Sequence, residues 1–514
     1  MACFKVKSTL RNTVLFGLAL TAIAAAGIPA VAGAGSFETA CDMMFFANIL
    51  LNIAIITDLL CNIRRDFPLL MFVCSFDVLL LGRVYVSFLG HHSDLLYYLE
   101  ADNYGNLYKA LQVVTISLLA VYAAYKLAAP FFSKREHLLK SDGLRAFPQK
   151  DYVPVVRQLS VIVLLVSSLA YFYILLAAIM NVLKNGYLGS FTQKAQSIPT
   201  VISRLSMFFP PSFAVFLATM PDKKQMRFPF AVYIIYMFVS LLTGRRNTFV
   251  CEAFMIIIYF VLRDNLLEKD RRVFKKRSVV LALVLLIPVV YLLQIFAEVR
   301  TGFFDPKKSF GYIMMNFFNS QGATFRVVIQ TVNRWDFFNH NVSYKFLYYP
   351  FELFVHNNVV TRNLFGLSPI IEVQTPLFAR TTHNFAHALT YMVDRSRYIA
   401  GGGFGTSFVA EAYVAYGMPG VVAVSALIGV IFRFFSSMLS RSWVVVAISL
   451  LAVKDLVYIP RSFAFLWVTD VFNITYLCFF MALYIVALFT VKRGTHVRRV
   501  NGTGKETAVS GEAP

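Results

Sequence analysis

The sequence predicts an all-α, polytopic membrane protein with about twelve transmembrane helices and one large, partly helical loop outside the membrane. Three observations carry that expectation. Of 514 residues, 58% are hydrophobic and only 15% are charged, against about 25% charged in an ordinary soluble domain. The apolar residues gather into runs near the roughly 20 residues that a spanning helix needs. The Lys and Arg residues alternate with those runs, as they do on the cytoplasmic loops of membrane proteins.

The runs lie near 13–34, 44–62, 67–89, 109–131, 154–181, 205–220, 228–243, 248–263, 278–297, 415–435, 442–460 and 468–491. The first has a short basic start (Lys5, Lys7, Arg11) and ends in "AVAGAG". That is the outline of a secretory signal, but the run is long enough to span and reads as uncleaved. The sixth, interrupted by Pro210 and Pro211, reads either as re-entrant or as a crossing. Charge decides between them. "FSKREHLLKSDGLRAFPQKDYV" and "DNLLEKDRRVFKKR" are both rich in Lys and Arg, so both belong inside. An even number of crossings must separate them, which makes the sixth run a span. Both termini then lie inside, and "TGRRNT" (243–248) lies outside. The organisation is nine spans in 1–297, an external loop at 298–414, three spans in 415–491 and an inner tail at 492–514.

Several functions are excluded. The net charge of +21 reports topology and gives no reason to invoke nucleic acid. The six cysteines form no C-x-x-C pair, so neither a zinc site nor a disulfide framework is indicated. No complete G-x-G-x-x-G or Walker pattern occurs, which argues against a nucleotide. No internal repeat suggests the paired halves of a transporter. Asp77, Lys454 and Asp455 are the conspicuous charges inside spans.

Polar chemistry concentrates in the external segment. Residues 298–405 hold ten Lys and Arg against six acids, and four of the eight histidines. A net positive outer loop suits an anionic partner. "YKFLYYPFELF" (344–354) reads as a helix lying in the membrane interface. Arg245 and Arg246 occupy a tight turn between two spans, where a guanidinium either reaches lipid headgroups or grips a phosphate bidentately. His383 and His387 are spaced i, i+4, but no third metal ligand is at hand; His383 is better read as a proton acceptor. Glu100 and Asp102 make an E-x-D pair that reads as a solvated acidic loop. "GGGFGTSFVAEAYVAYGMPG" (401–420) leads glycines into a helix start carrying Ser407 and Glu411. Read alone, it is a hinge with an interfacial carboxylate; a glycine-rich approach to a helix N-terminus also favours anions.

Taken together, the helix plan, the "TGRRN" turn, the long late loop and "GFGTSFVAEAYVAYGMPG" entering a span resemble the Wzy-type polymerases of O-antigen and related repeat-unit polysaccharides. "THNF" followed by "EAYVAYGMPG" is also similar to the related O-antigen ligases, although His383 and Glu411 stand 28 positions apart, farther than a ligase pattern implies. The resemblance implies a bacterial inner-membrane glycosyltransferase with both termini cytoplasmic and the large loop periplasmic. It would join undecaprenyl-pyrophosphate-linked glycans among membrane lipid, with a separate chain-length regulator as partner and no cofactor, metal or nucleic acid. On that reading Arg245, Arg246, Arg300, Arg380 and Ser407 bind the pyrophosphate. Glu411 or His383 is the base, and Tyr413, Tyr416 and Asn384 contact sugar. The alternatives are an O-antigen ligase and a lipid-linked oligosaccharide flippase.

Overall fold

A computed structural model describes residues 2–32, 37–89, 104–132, 151–192, 198–244, 246–267 and 307–503, with scattered positions between 272 and 305. The helices that build it are, in order, α1 (Ala2–Ala32), α2 (Phe37–Cys61), α3 (Ile63–Phe76), α4 (Gly82–Leu89), α5 (Tyr104–Leu127), α6 (Val153–Thr192), α7 (Thr200–Ser206), α8 (Phe209–Ala218), α9 (Lys223–Leu241) and α10 (Arg246–Leu266). The second half supplies α11 (Phe310–Gln321), α12 (Phe325–Asn333), α13 (Tyr344–Asn357), α14 (Pro376–Thr381), α15 (Phe385–Val393), α16 (Arg395–Ile399), α17 (Phe408–Phe435), α18 (Trp443–Tyr458), α19 (Leu466–Val471) and α20 (Ile474–Thr503). No strand occurs among the described residues, as expected where each long apolar run must satisfy its own backbone hydrogen bonds.

Nine helical segments among the described residues are long and apolar enough to cross a membrane, fewer than the twelve runs counted in the sequence. The remaining three have identifiable reasons. Lys223, Lys224 and Arg227 sit in the first turns of α9, and α10 carries Arg246, Glu252, Arg263 and Asp264. Of the run at 278–297, the longest described stretch is the short helix Ile287–Phe296. The double proline of the sixth run lies in the first turn of α8, where a missing N–H costs little, and Thr200–Ala218 has the length and apolarity of a span.

Helix ends rich in basic residues are tied to one another. Arg157 at the start of α6 donates to Thr219 O (2.7 Å) beyond α8 and to Gln225 Oε1 (2.8 Å) in α9, and Arg263 near the end of α10 donates to Pro221 O (2.7 Å). Asp66 at the start of α3, fully buried, accepts from Tyr125 Oη near the end of α5 (2.6 Å) and from Arg65 (2.5 and 2.8 Å). Arg433, near the end of α17, lies 3.8 Å away. At the other ends, Tyr104 Oη of α5 donates to Glu38 of α2 (3.3 Å), and Asn106 Nδ2 donates to Asn333 Oδ1 (2.6 Å).

Part of the segment expected to be external folds back into the bundle. α11 packs along α4 and the π-helical segment Asp77–Leu81, turns at Gly322–Thr324, and α12 returns along α5 and α17. Two arginines close the tip. Arg83 Nε donates to Asn319 O (3.1 Å) and Oδ1 (2.8 Å), and Arg461 Nη1 donates to Gln321 O (3.3 Å). The last carbonyls of α11 have no helical partner and carry the negative end of its dipole, so guanidinium groups are suited to that place. The approach is close: a side chain on Gly322 would fall 2.0 Å from Arg83 N.

Two of the charges inside spans, Lys454 and Asp77, also find partners within the chain. Lys454 Nζ of α18 meets Glu252 Oε1 of α10 at 2.7 Å, and Tyr233 Oη of α9 donates to Glu252 Oε2 at 2.7 Å. Asp77 accepts from Tyr85 Oη (3.1 Å). Between α5 and α17, Ser117 and Ser425 share a hydrogen bond (2.8 Å), and Gly429 faces Val121 so closely that a Cβ would sit 2.1 Å from its carbonyl oxygen. Small residues permit that approach. Gly429→Val should therefore push α5 from α17 and cost about 1–3 kcal/mol, read as a lower thermal unfolding midpoint in detergent; an unchanged midpoint would show that the contact is not tight.

Candidate active site

The elements that carry the expected site meet at one short segment, Ser462–Phe465, between α18 and α19. Phe463 packs on Tyr349 of α13 (ring centroids 5.9 Å), and Phe465 packs on Tyr348 and Phe351 (5.9 and 5.6 Å). Between those two rings the Ala464 N–H donates to Glu411 Oε2 (2.8 Å). The other Glu411 oxygen accepts from Thr406 Oγ1 (2.6 Å), and the side chain is wholly buried. Both carboxylate oxygens are thus engaged in holding the start of α17 to the segment. Ser407, also fully buried, is the N-cap of α17, its Oγ accepting from Val409 N (3.3 Å).

The glycine stretch before that cap has a defined course. Gly401 and Gly405 have φ of 86° and 77°, a region that side chains with a Cβ resist. Gln374 Nε2 donates to Tyr398 O (2.8 Å) and Gly402 O (2.7 Å), and Phe404 N donates to Thr390 Oγ1 (3.1 Å). The Val409 N–H of the first turn of α17 and the Phe404 N–H on the approach to it are thus already bonded within the protein.

His383 and Glu352 form the accessible acid–base pair. His383 Nδ1 lies 2.8 Å from Glu352 Oε2, with both side chains about one-third exposed (27% and 33%). A carboxylate on one ring nitrogen orients the imidazole and leaves the other nitrogen as an acceptor. Next in sequence, Asn384 caps α15 and donates to Glu372 Oε1 (2.7 Å), which also accepts from Tyr349 Oη (2.7 Å). Burial, followed by the Glu372 carboxylate, pushes the Tyr349 phenol well above its ordinary value. His387 takes a different partner from His383: its Nδ1 meets Tyr398 Oη at 2.8 Å. The i, i+4 histidines are therefore engaged separately, and no group of three or more metal-ligating side chains occurs among the described residues.

Guanidinium groups gather around two rings. Arg380 of α14 and Arg395 of α16 both lie over Tyr391 (5.6 and 5.4 Å to the centroid), and Arg326 and Arg397 lie over Phe404 (4.1 and 5.1 Å). Arg380, Arg395 and Arg397 are exposed. The ring faces align the cations. Arg246 sits apart, at the start of α10, with Nη1 donating to Leu293 O (2.9 Å). Arg245, Arg300, Glu100 and Asp102 lie outside the described residues. Tyr413 is buried against Trp335 (4.8 Å), whereas Tyr416 is half exposed at an interruption of α17.

Sequence reasoning missed Glu352, Glu372, Arg326, Arg395 and Arg397. Arg395 and Arg397 flank the histidine segment closely enough to have been singled out. Glu352 stands 31 positions before His383, and no local spacing signals their meeting.

The chain matches the family described as O-antigen polysaccharide polymerase Wzy over residues 18–494. No curated protein and no solved structure matches it.

Burial holds His387 below the ordinary histidine value, against an opposing pull from Glu372. The neutral ring is thus favoured in the fold, and its contribution to stability is complete above the ordinary value of about 6.5. That contribution is lost as pH falls from there toward the folded value. Unfolding midpoints between about pH 7.5 and 5 should drop further in the native protein than in His387→Gln; parallel curves would dismiss this titration.

Proposed function

Because the chain belongs to the O-antigen polysaccharide polymerase Wzy family and joins lipid-linked oligosaccharide repeat units as a multi-pass membrane protein, we propose that it acts as a glycosyltransferase at the periplasmic face of the bacterial inner membrane. In this proposal undecaprenyl pyrophosphate is the leaving group, both termini are cytoplasmic, residues 298–414 make up the periplasmic portion, and a separate protein regulates chain length.

The observation that carries the chemistry is the His383–Glu352 pair, 2.8 Å apart and open to solvent beside the α13–α17 packing. A sugar hydroxyl of one lipid-linked unit attacks the anomeric carbon of the other. Its proton passes to the free nitrogen of His383, whose partner nitrogen is held by Glu352. A new C–O bond forms at the anomeric carbon, the bond to the pyrophosphate breaks, and that electron pair leaves on phosphate oxygen. Fixed cations stabilise the departing charge. The Tyr391 ring shared by Arg380 and Arg395 supports giving them this part, with Arg326 and Arg397 at Phe404 of the glycine stretch beside them in the proposal. Arg245, Arg246 and Arg300 are further pyrophosphate ligands in the proposal. Asn384 and Tyr416 contact sugar, and Tyr413 backs that surface. Glu411 is a positioning residue, since its hydrogen bonds lock α17 to Ala464, and Ser407 caps the same helix.

Purified protein given a lipid-linked repeat unit, with chelator present and nucleotide absent, should produce a ladder of products. His383→Ala should slow it about 10²–10⁴-fold. Glu411→Gln keeps an oxygen for Ala464 N–H and an amide for Thr406 Oγ1, so it should retain activity within about tenfold, while Glu411→Ala lowers the unfolding midpoint as a buried donor loses its acceptor. The opposite ranking, with Glu411→Gln inert and His383→Ala active, would move the base to Glu411.

Arg380→Gln combined with Arg395→Gln should depress turnover at saturating substrate about 10²-fold or more, with the protein still inserted and folded. An unaltered ladder from that variant removes both arginines from the leaving-group site.

A further inference from the structure

Residues from four separate parts of the chain form an aromatic ladder that ends beside Glu352 of the His383–Glu352 pair. At its far end the exposed His340 lies against Trp335 (ring centroids 4.5 Å), and Trp335 packs on Tyr413 (4.8 Å). Gly417 follows closely: a side chain there would come within 3.8 Å of the Trp335 ring. Tyr416, beside it, lies where α17 packs on α13, the helix that carries Tyr348, and Tyr348 lies parallel to Phe465 (5.9 Å, 2° between planes). Phe351 closes on Phe465 (5.6 Å), and its chain neighbour Glu352 holds His383.

The ladder is open to an occupant. Tyr344, Tyr348 and Tyr416 remain 41%, 41% and 49% exposed. The exposure of Tyr416 has a backbone cause. α17 is interrupted there, with φ of −141° at Tyr416 and +62° at Gly417, a conformation that glycine adopts without strain. The interruption sets Tyr416 beside Tyr348 of α13, where a regular helix would carry it elsewhere.

We propose that this ladder binds the saccharide portion of the lipid-linked substrate and guides it to and from the reaction centre; this inference rests on the polymerase reading. A pyranose ring presents a face of C–H groups rimmed by hydroxyls. Aromatic faces accept the C–H surface, and the Tyr348 and Tyr416 hydroxyls, able to donate and accept, suit the rim. A lipid-facing aromatic belt requires none of this connectivity. Here the rings come from the segment after α12, from α13, from the break in α17 and from Phe465, and they lead to the acid–base pair.

The test uses the full-length protein in detergent with Trp443→Phe and Trp467→Phe, which leaves Trp335 as the one remaining tryptophan of the three. The probe is lipid-free polysaccharide released by mild acid from cells carrying the protein, sized to single repeat units. Trp335 emission should change saturably. Tyr348→Ala and Tyr416→Ala should each weaken binding about tenfold, and Tyr348→Phe, which keeps the ring, should stay within about threefold of the parent. Affinity unchanged from the parent in both alanine variants overturns the ladder. So does flat emission in a preparation that still polymerises lipid-linked units, and the polymerase reading then stands. A preparation that binds the glycan but never polymerises it keeps the ladder and removes that reading.

Discussion

A charge or a backbone polar group withdrawn from water has to be matched within the chain, and much of this architecture follows from that constraint. An arginine in the hydrocarbon region costs about 2.5–3.5 kcal/mol even on permissive scales. Asp66 therefore sits among Tyr125, Arg65 and Arg433, and Lys454 reaches Glu252. The same requirement shapes the α11–α12 hairpin, because a helix ending against other helices leaves carbonyls that the protein must satisfy. Arg83 and Arg461 satisfy them. All but the Arg65–Asp66 contact join helices distant in sequence, so the solvation of single groups helps decide which helices are neighbours.

The pairing with Gln321 also connects membrane packing to chemistry. Arg461 holds the hairpin tip, and three residues later Ala464 holds Glu411. The segment between α18 and α19 thus couples the hairpin, the start of α17 and the aromatic face of α13. The site is built where several helix ends meet, which allows residues from separated loops to be held with helical rigidity. Within this frame the His383–Glu352 pair stays accessible while Glu411 is sealed. The two candidates for the base that the sequence offers, His383 and Glu411, therefore differ in access.

Cations near the site are organised by rings. Tyr391 carries Arg380 and Arg395, and Phe404 carries Arg326 and Arg397. A ring face orients a guanidinium without taking a hydrogen-bond donor for itself, and Arg380, Arg395 and Arg397 are exposed. Such an arrangement is suited to meeting negative charge that forms during a reaction.

The sequence by itself determined the class of the protein. Apolar runs of spanning length, basic loops between them and a polar late segment follow from local composition, and local composition suffices for an all-α membrane protein. The helix start near Ser407 and the glycine approach to α17 were also legible, because each depends on residues within a few positions of one another. The pairing of His383 with Glu352, the sealing of Glu411 by Ala464 and the folding of 310–333 back into the bundle were not. Each is a contact across tens of residues, decided by which helix ends converge, and no spacing along the chain encodes it. Arg246 and Arg380 illustrate the difference: both present a guanidinium in an external turn or loop of the sequence, yet one is tied to Leu293 O and the other shares a ring with Arg395. Composition names the groups that need partners; only the packed helices determine which partners they find.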